Sequence, residues 1–366
     1  MRIVLSGGGT AGHINPALAL ADVLRERGHE VLFAGTPGGI ESRLVPAAGI
    51  PYKAFEAAGF NRNHPLTLPK AIMKIQRSTK LARKWFSEVH PDCVVGFGGY
   101  VCIPVARAAE QCGIPVVVHE QNSVMGMANK YLARRARAVC LTYDHAAQAL
   151  SDKSHVVLTG NPVRVSVLQA EREAARKALN LDDRPLVLSF GGSLGAVALN
   201  KAAAYMLGES VKEKKYQHIH GYGQHDEKFL DEVHAAGVKE EENPQIRMLE
   251  YIDNMPECLA AADLVIGRAG AITLTEIEAT GKCSILIPSP NVAENHQFHN
   301  AMALVNRDAA VMIEEKDLTG EKLWETVNTI LSEPGRAEEI GKNAKAMAVL
   351  DANDRIYNII CEKAKK

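Results

Sequence analysis

The strongest constraint on the fold is an internal repeat. Val4-Leu5-Ser6-Gly7-Gly8-Gly9-Thr10-Ala11-Gly12 aligns without gaps to Val187-Leu188-Ser189-Phe190-Gly191-Gly192-Ser193-Leu194-Gly195. The offset, 187 − 4 = 183, is half of the 366-residue chain. Each copy reads as an apolar strand, a glycine loop carrying a hydroxyl residue, and a helix. Around them, runs with little polar alternation (RIVLS, EVLFAG, CVVGFGG, IPVVVHE, AVCLTY, HVVLTG, PLVLSFGG, QHIHGYG, IRMLEY, DLVIGRAG and CSILIPSP) are interleaved with helix-periodic stretches. Strands that are apolar throughout belong in parallel sheets covered on both faces. The expectation is therefore an α/β fold: two Rossmann-like doubly wound domains facing a central cleft, each with a glycine loop at a strand's carboxyl end. A chain of this length can bury two full cores. The linker is expected in GNPVR (160–164), giving domains 1–163 and 164–341. Helix 16–27 is expected to take Asn15 as N-cap, Pro16 as its first residue and Gly28 just past its end.

Charge and cysteine usage narrow the function classes. A net charge of −1 provides no general attraction for nucleic acid, so an electrostatic partner must meet a local patch. The cysteines (Cys93, Cys102, Cys112, Cys140, Cys258, Cys283 and Cys361) are odd in number, with no CxxC and no ligand-like spacing. They read as reduced thiols, mostly small core residues. The first strand begins at residue 2, leaving no room for a signal peptide, and no apolar run approaches bilayer length. A cytoplasmic protein is expected.

Gly7, Gly9 and Gly12 satisfy GxGxxG, but a dinucleotide site also needs an acid at the end of the second strand to hold the ribose. That strand, EVLFAG, runs into Gly35-Thr36, and His13 is an odd neighbour for a pyrophosphate. The second half offers a better nucleotide site. In GRAGAITLTEIEATG the strand DLVIG turns at Arg268-Ala269-Gly270 into a short helix closed by Gly281. Its unpaired N–H groups and positive dipole end suit a diphosphate. Glu276, one turn in, can accept both hydroxyls of a ribose diol; the alternative is a solvated helix glutamate. The GGSLGA loop (191–196) adds backbone N–H groups and the Ser193 hydroxyl. No DxD-type pair accompanies either loop, so no metal and no cofactor are expected. Charge neutralisation then falls to backbone dipoles and to Arg164.

Taken in order, GGGTAGHINP (7–16), GFGGYVCIP (96–104), HEQN (119–122), TGNPVR (159–164), GGSLGA, GRAGAITLTE (267–276) and ENHQ (294–297) resemble the MurG family. These are bacterial undecaprenyldiphospho-muramoylpentapeptide β-N-acetylglucosaminyltransferases of peptidoglycan synthesis. The resemblance implies a GT-B fold and transfer of N-acetylglucosamine from UDP-GlcNAc to the C4 hydroxyl of the muramyl sugar of lipid I. The transfer inverts the anomeric centre and forms lipid II. It further implies that Thr10, Ala11 and Gly12 line the site beside the transferred sugar, and that Asn122 contacts the donor sugar. Arg164 and Ser193 would hold the diphosphate, and Ile252 would present backbone groups to the uracil. Ala271, Ile272, Thr273, Leu274, Thr275 and Glu276 would form the nucleotide-binding helix start, with Gln297 on sugar hydroxyls. Where the family often has two adjacent glutamines, this chain has His296-Gln297. The final helix (about 342–366) is expected to return to the first domain.

An inverting displacement needs one base. His13 leads, because imidazole titrates near neutral pH; a hydrogen bond across its own loop is the other reading. Glu120 and His119 stand in reserve, with Glu120 alternatively orienting the acceptor or its loop. GFGGYVCIP reads either as an acceptor-side diphosphate loop or as a tight turn needing glycine. A lipid acceptor calls for a membrane-facing surface, and HPLTLPKAIMKIQRSTKLARKWF (64–86) supplies a basic amphipathic segment. Lys70, Lys74, Arg77, Lys80, Arg83 and Lys84 accompany a stripe of Leu68, Ile72, Ile75 and Phe86, with Leu81 and Trp85 beside it. The alternative is a helix packed on its own domain. A peripheral protein on the cytoplasmic side of an anionic membrane is expected. The rivals are another GT-B transferase or sugar-nucleotide epimerase, and a non-catalytic nucleotide-binding module.

Overall fold

The computed structural model describes residues 1–57, 68–224, 226 and 228–364. They form two compact units, residues 1–164 with 349–366, and residues 165–348. The expected boundaries at 163/164 and near 342 thus lie at 164/165 and 348/349. Helix Arg336–Met347 stays with the second unit, because its Ala344 packs among Leu274, Ile277 and Leu304.

The first unit holds a seven-stranded sheet of β1 (Arg2–Ser6), β2 (Glu30–Gly35), β3 (Tyr52–Ala54), β4 (Cys93–Gly96), β5 (Val116–Glu120), β6 (Ala138–Leu141) and β7 (Val156–Leu158). Its order is β3-β2-β1-β4-β5-β6-β7, and every pairing is parallel. The second unit holds β8 (Leu186–Phe190), β9 (Gln217–Gly221), β10 (Ile246–Leu249), β11 (Leu264–Gly267), β12 (Cys283–Leu286) and β13 (Val311–Met312). Their order, β10-β9-β8-β11-β12-β13, repeats the first sheet strand for strand up to the sixth. The repeated segments of the sequence are β1 and β8, which occupy the same place in the two sheets. Each lies where the strand order reverses, the crevice in which doubly wound sheets bind ligands. The eleven expected strands are all present; β3 and β13 are edge strands of three and two residues, too short to show a period.

The apolar runs are explained by cover on both faces. In β1, Ile3 and Leu5 pack with Leu20 and Leu24 of helix Ala11–Glu26 and with Ile356 and Ile360 of helix Ala352–Ala364. Val4 faces the opposite layer, with Phe86 of helix Leu68–Val89 and Val105 of helix Cys102–Gln111. In the second unit, Val187 packs toward Leu199 and Met206, while Leu186 and Leu188 pack toward Leu259 and Leu274. Five of the seven cysteines are buried, with Cys112 exposed and Cys361 half-buried. Among the described residues, no helix is long and apolar enough to cross a membrane.

One capping expectation is corrected. The first helix begins at Ala11 with Thr10 as N-cap, so Pro16 lies inside it rather than at its start. Pro16 has no N–H to offer the Gly12 carbonyl, so the helix lacks that hydrogen bond. The other end follows expectation. Gly28 has φ +77°, its N–H bonds to Arg25 O at 2.9 Å, and the His29 N–H bonds to Leu24 O at 3.0 Å. That pair of bonds satisfies the last carbonyls, and glycine takes up this left-handed backbone without the strain that a side chain brings.

Candidate active site

The glycine loop after β1 is fastened from two sides. Gly8 N–H donates to Gly98 O at 3.2 Å, and Gly9 N–H donates to the Glu41 carboxylate at 3.3 Å. Gly98 and Gly99 have φ of +109° and +84°. A Cβ on Gly98 would stand 2.9 Å from the His13 ring, and one on Gly99 would stand 2.4 Å from Gly8 O. Gly98 and Gly99 of GFGGYVCIP are thus accounted for by the packing of one loop on the other. Against that surface, His13 Nδ1 lies 2.8 Å from Gly8 O and 3.4 Å from Thr10 Oγ1. A carbonyl can only accept, so Nδ1 carries the hydrogen and Nε2 keeps its lone pair. Thr10, Ala11 and Gly12 form the exposed to half-buried start of this helix.

Sequence reasoning missed Glu41. Its carboxylate is fully buried and accepts from Thr36 N–H (3.1 Å), Thr36 Oγ1 (2.6 Å) and Gly9 N–H. The acid absent from the end of β2 is supplied six residues later, but turned into the glycine loop rather than toward a ribose. A buried carboxylate already holding a loop amide also repels a pyrophosphate there, a second argument against a dinucleotide site. The visible signal was a glutamate flanked by Gly35, Gly38 and Gly39. A Cβ on Gly35 or Gly39 would meet its side chain at 2.7 and 2.3 Å.

Glu120, at the end of β5, is buried and saturated. Oε1 accepts from Asn122 N–H (3.0 Å) and Asn122 Nδ2 (3.2 Å); Oε2 accepts from Gly126 N–H (3.0 Å) and Asn129 Nδ2 (2.9 Å). Four of the chain's own donors occupy both oxygens, and this geometry favours the loop-orienting reading. His119 donates from Nε2 to Gly160 O (3.0 Å) and accepts at Nδ1 from Gln121 (3.1 Å). Burial lowers its pKa to about 4, so it is a neutral fastener between β5 and the chain leaving β7. Arg164, half-buried, is the last residue of the first unit before helix Val165–Gln169.

In the second unit, β11 leads through Arg268, Ala269 and Gly270 into helix Ala271–Thr280, which closes at Gly281 with φ +66°. Arg268 is engaged away from the helix start, on Glu315 and on Ile287 O (3.2 Å). Leu274 sits in the core, and Thr275 Oγ1 back-bonds to Ala271 O at 2.8 Å; Ile272 and Thr273 are half-buried beside the first turn. Glu276 is 7% exposed, so the solvated-glutamate reading does not hold. The loop with Ser193 lies against the end of β9: a Cβ on Gly195 would stand 2.2 Å from Tyr222 O, and Gln224 N–H donates to Ser193 O at 3.4 Å. Behind it, Ser189 donates to His220 Nδ1 (2.7 Å), and His220 Nε2 donates to Asn200 Oδ1 (3.2 Å). The Asn200 amide donates to Tyr222 O at 2.8 Å. Ile252 buries its side chain against Gly221, leaving its main chain outside both helix and strand. Gln297 Oε1 accepts from Ser289 N–H at 2.8 Å, which commits its carbonyl and leaves the amide hydrogens to donate. Just before it, Glu294 and Asn295 both adopt left-handed backbone, with φ of 55° and 49°.

Helix Leu68–Val89 splits the basic segment into two faces, and residues 64–67 of that segment lie outside the described ones. Trp85 and Phe86 are core residues, with Trp85 5.7 Å from the Phe55 ring, so the expected aromatic end of the stripe faces inward. The outer face carries Ile72, Met73 and Leu81 at 45%, 65% and 50% exposure among Lys70, Lys74, Arg77, Lys80, Arg83 and Lys84. Lys74 stands 3.9 Å from Glu56.

Residues 3–141 match the glycosyltransferase family 28 N-terminal domain, and residues 186–356 match the glycosyltransferase family 28 C-terminal domain. A curated protein of Acetivibrio thermocellus is 42% identical, across 98% of this chain and 97% of its own length. It is named UDP-N-acetylglucosamine–N-acetylmuramyl-(pentapeptide) pyrophosphoryl-undecaprenol N-acetylglucosamine transferase. A protein of the same name from Halalkalibacterium halodurans is 41% identical, with all of both chains covered. The crystal structure of Acinetobacter baumannii MurG superposes with a TM-score of 0.77, 29% identity and 99% of each chain covered. With its two domains, both glycine loops and its whole length matched, the chain belongs to glycosyltransferase family 28, among the UDP-N-acetylglucosamine–N-acetylmuramyl-(pentapeptide) pyrophosphoryl-undecaprenol N-acetylglucosamine transferases.

Proposed function

We propose that this enzyme transfers N-acetylglucosamine from UDP-GlcNAc to the C4 hydroxyl of the muramyl sugar of lipid I, with inversion, releasing UDP and lipid II. The observation that carries this reading is the 42% identity, over nearly the full chain, to a transferase named for that reaction. Local geometry within each unit supports the roles assigned to its residues. The acceptor C4 oxygen attacks the anomeric carbon while the bond from that carbon to the UDP oxygen breaks on the opposite side. The hydroxyl proton passes to His13 Nε2, whose lone pair is kept available by the Gly8 carbonyl on Nδ1. The leaving electron pair stays on the diphosphate, where the N–H groups at the start of helix Ala271–Thr280, the Ser193 loop and Arg164 stabilise it. Glu276 accepts the ribose hydroxyls, Ile252 offers main-chain groups to the uracil, and Asn122 and Gln297 bind the sugar. Thr10, Ala11 and Gly12 lie beside the transferred sugar.

The acceptor is lipid-linked, and the outer face of helix Leu68–Val89 is the surface we assign to the anionic bilayer. Its lysines and arginines meet headgroups while Ile72, Met73 and Leu81 enter the interface. The protein then works as a peripheral enzyme on the cytoplasmic leaflet.

The test is transfer of radiolabel from UDP-GlcNAc to a short-chain lipid I analogue, alongside other UDP-sugars and acceptors. Turnover confined to UDP-GlcNAc and the muramyl lipid is expected, with His13→Ala lowering kcat by about 10²–10⁴-fold and hardly changing KM for the donor. Turnover with another sugar or acceptor alone would overturn the proposal.

A further inference from the structure

The loop carrying His13 is held by a residue outside both glycine motifs. Glu41, at the start of helix Glu41–Ala47, is fully buried, and no cation among the described residues pairs with it. Its oxygens are satisfied by Thr36 and by the Gly9 amide. A Cβ on Gly8 would stand 2.7 Å from Glu41 Oε1, so the carboxylate also lies directly against the neighbouring residue. Gly99 closes the other side of Gly8. The peptide between these two contacts is the one whose carbonyl takes the His13 Nδ1 hydrogen.

We infer that Glu41 is a positioning residue for the transfer: by pinning Gly8 and Gly9 it aims the Gly8 carbonyl at His13 Nδ1, and so reserves Nε2 for the acceptor proton. This rests on His13 being the base. Replacing the carboxylate by an amide keeps the volume but presents an NH2 group to donors that need an acceptor. The Gly9 amide or the Thr36 pair then loses its partner, and the Gly8 carbonyl is released from its aim.

The experiment reads the His13 ring directly, by ¹⁵N chemical shifts in the full-length protein, together with kinetics. In the wild type the Nδ1–H tautomer is expected to dominate; in Glu41→Gln the two tautomers become mixed. In the same variant kcat falls 10–100-fold and KM for UDP-GlcNAc stays within two-fold. In a His13→Ala background, adding Glu41→Gln costs less than three-fold further. Thr36→Val, which removes only the 2.6 Å hydroxyl bond, is the milder companion should Glu41→Gln not fold; it is expected to shift the tautomer balance in the same direction. A His13 ring still locked as Nδ1–H in whichever variant folds, or a full additive loss in the His13→Ala background, overturns the positioning role and leaves the base assignment standing. Wild-type kcat in His13→Ala overturns the base assignment itself, and the inference with it.

Discussion

At the scale of single residues, function rests on which lone pairs and amides are already spoken for. Glu120 and His119 resemble catalytic groups in a list of titratable residues, yet every polar atom of their side chains is occupied by the chain's own donors and acceptors. His13 differs because, among the described residues, only its Nδ1 has a hydrogen-bond partner. The close fit of Gly98 on its ring makes that geometry testable without touching the histidine. Gly98→Ala places a Cβ 2.9 Å from the ring at a φ of +109°. We expect a stability loss of about 1–3 kcal/mol from the strained backbone, and a lower kcat with donor KM nearly unchanged; denaturant titration and steady-state kinetics separate the two effects. Glu276→Ala should do the opposite. A charged hydrogen bond is worth about 1.5–3 kcal/mol, so donor KM should rise about 10–100-fold with a smaller change in kcat.

At the scale of elements, helix Leu68–Val89 shows how one periodic pattern serves two surfaces. Ala71, Ser78, Ala82, Trp85 and Phe86 face the domain, while the cations and Ile72, Met73 and Leu81 face outward. Trp85→Ala should therefore cost about 3–5 kcal/mol of stability as a core truncation and leave vesicle binding of the folded protein intact. Exchanging Lys70, Lys74, Arg77 and Lys80 for Glu should instead abolish sedimentation with anionic vesicles, since each basic residue near such a surface contributes about 1 kcal/mol. UDP affinity should be unaffected. Unchanged sedimentation would remove this face from the membrane surface.

At the scale of the molecule, three fully buried histidines make stability depend on acid. Burial lowers His119 to about 4 and both His218 and His220 to about 3, with His220 adding to the depression of His218. Unfolded histidine titrates near 6.5. The stabilisation is thus fully present above that pH and is lost as pH falls from 6.5 toward 4, because only the unfolded chain takes up the protons. The slope is about 1.4 kcal/mol per pH unit for each histidine. The second unit carries two of the three, so urea titrations at pH 7 and pH 5 should find it losing stability about twice as steeply. His220→Gln should remove about half of that unit's dependence.

Much of this architecture could be read before any coordinates. A repeated strand-and-glycine-loop at an offset of half the chain, and strands apolar on both faces, leave few arrangements besides two doubly wound parallel sheets, because such strands must be covered on both sides. Local chemistry likewise marked Gly28 and Gly281 as helix ends, and the turn at Arg268-Ala269-Gly270 as a helix start. What could not be read is every property that depends on residues distant in the chain. Thr10 rather than Asn15 begins the first helix, Trp85 and Phe86 turn inward, and Glu120 takes a hydrogen bond from Asn129. Glu41 reaches back to a loop some thirty positions away. Periodicity reports which face of an element is apolar, but whether a carboxylate is basic or a ring is exposed depends on what packs against it, and only the folded chain brings those partners together.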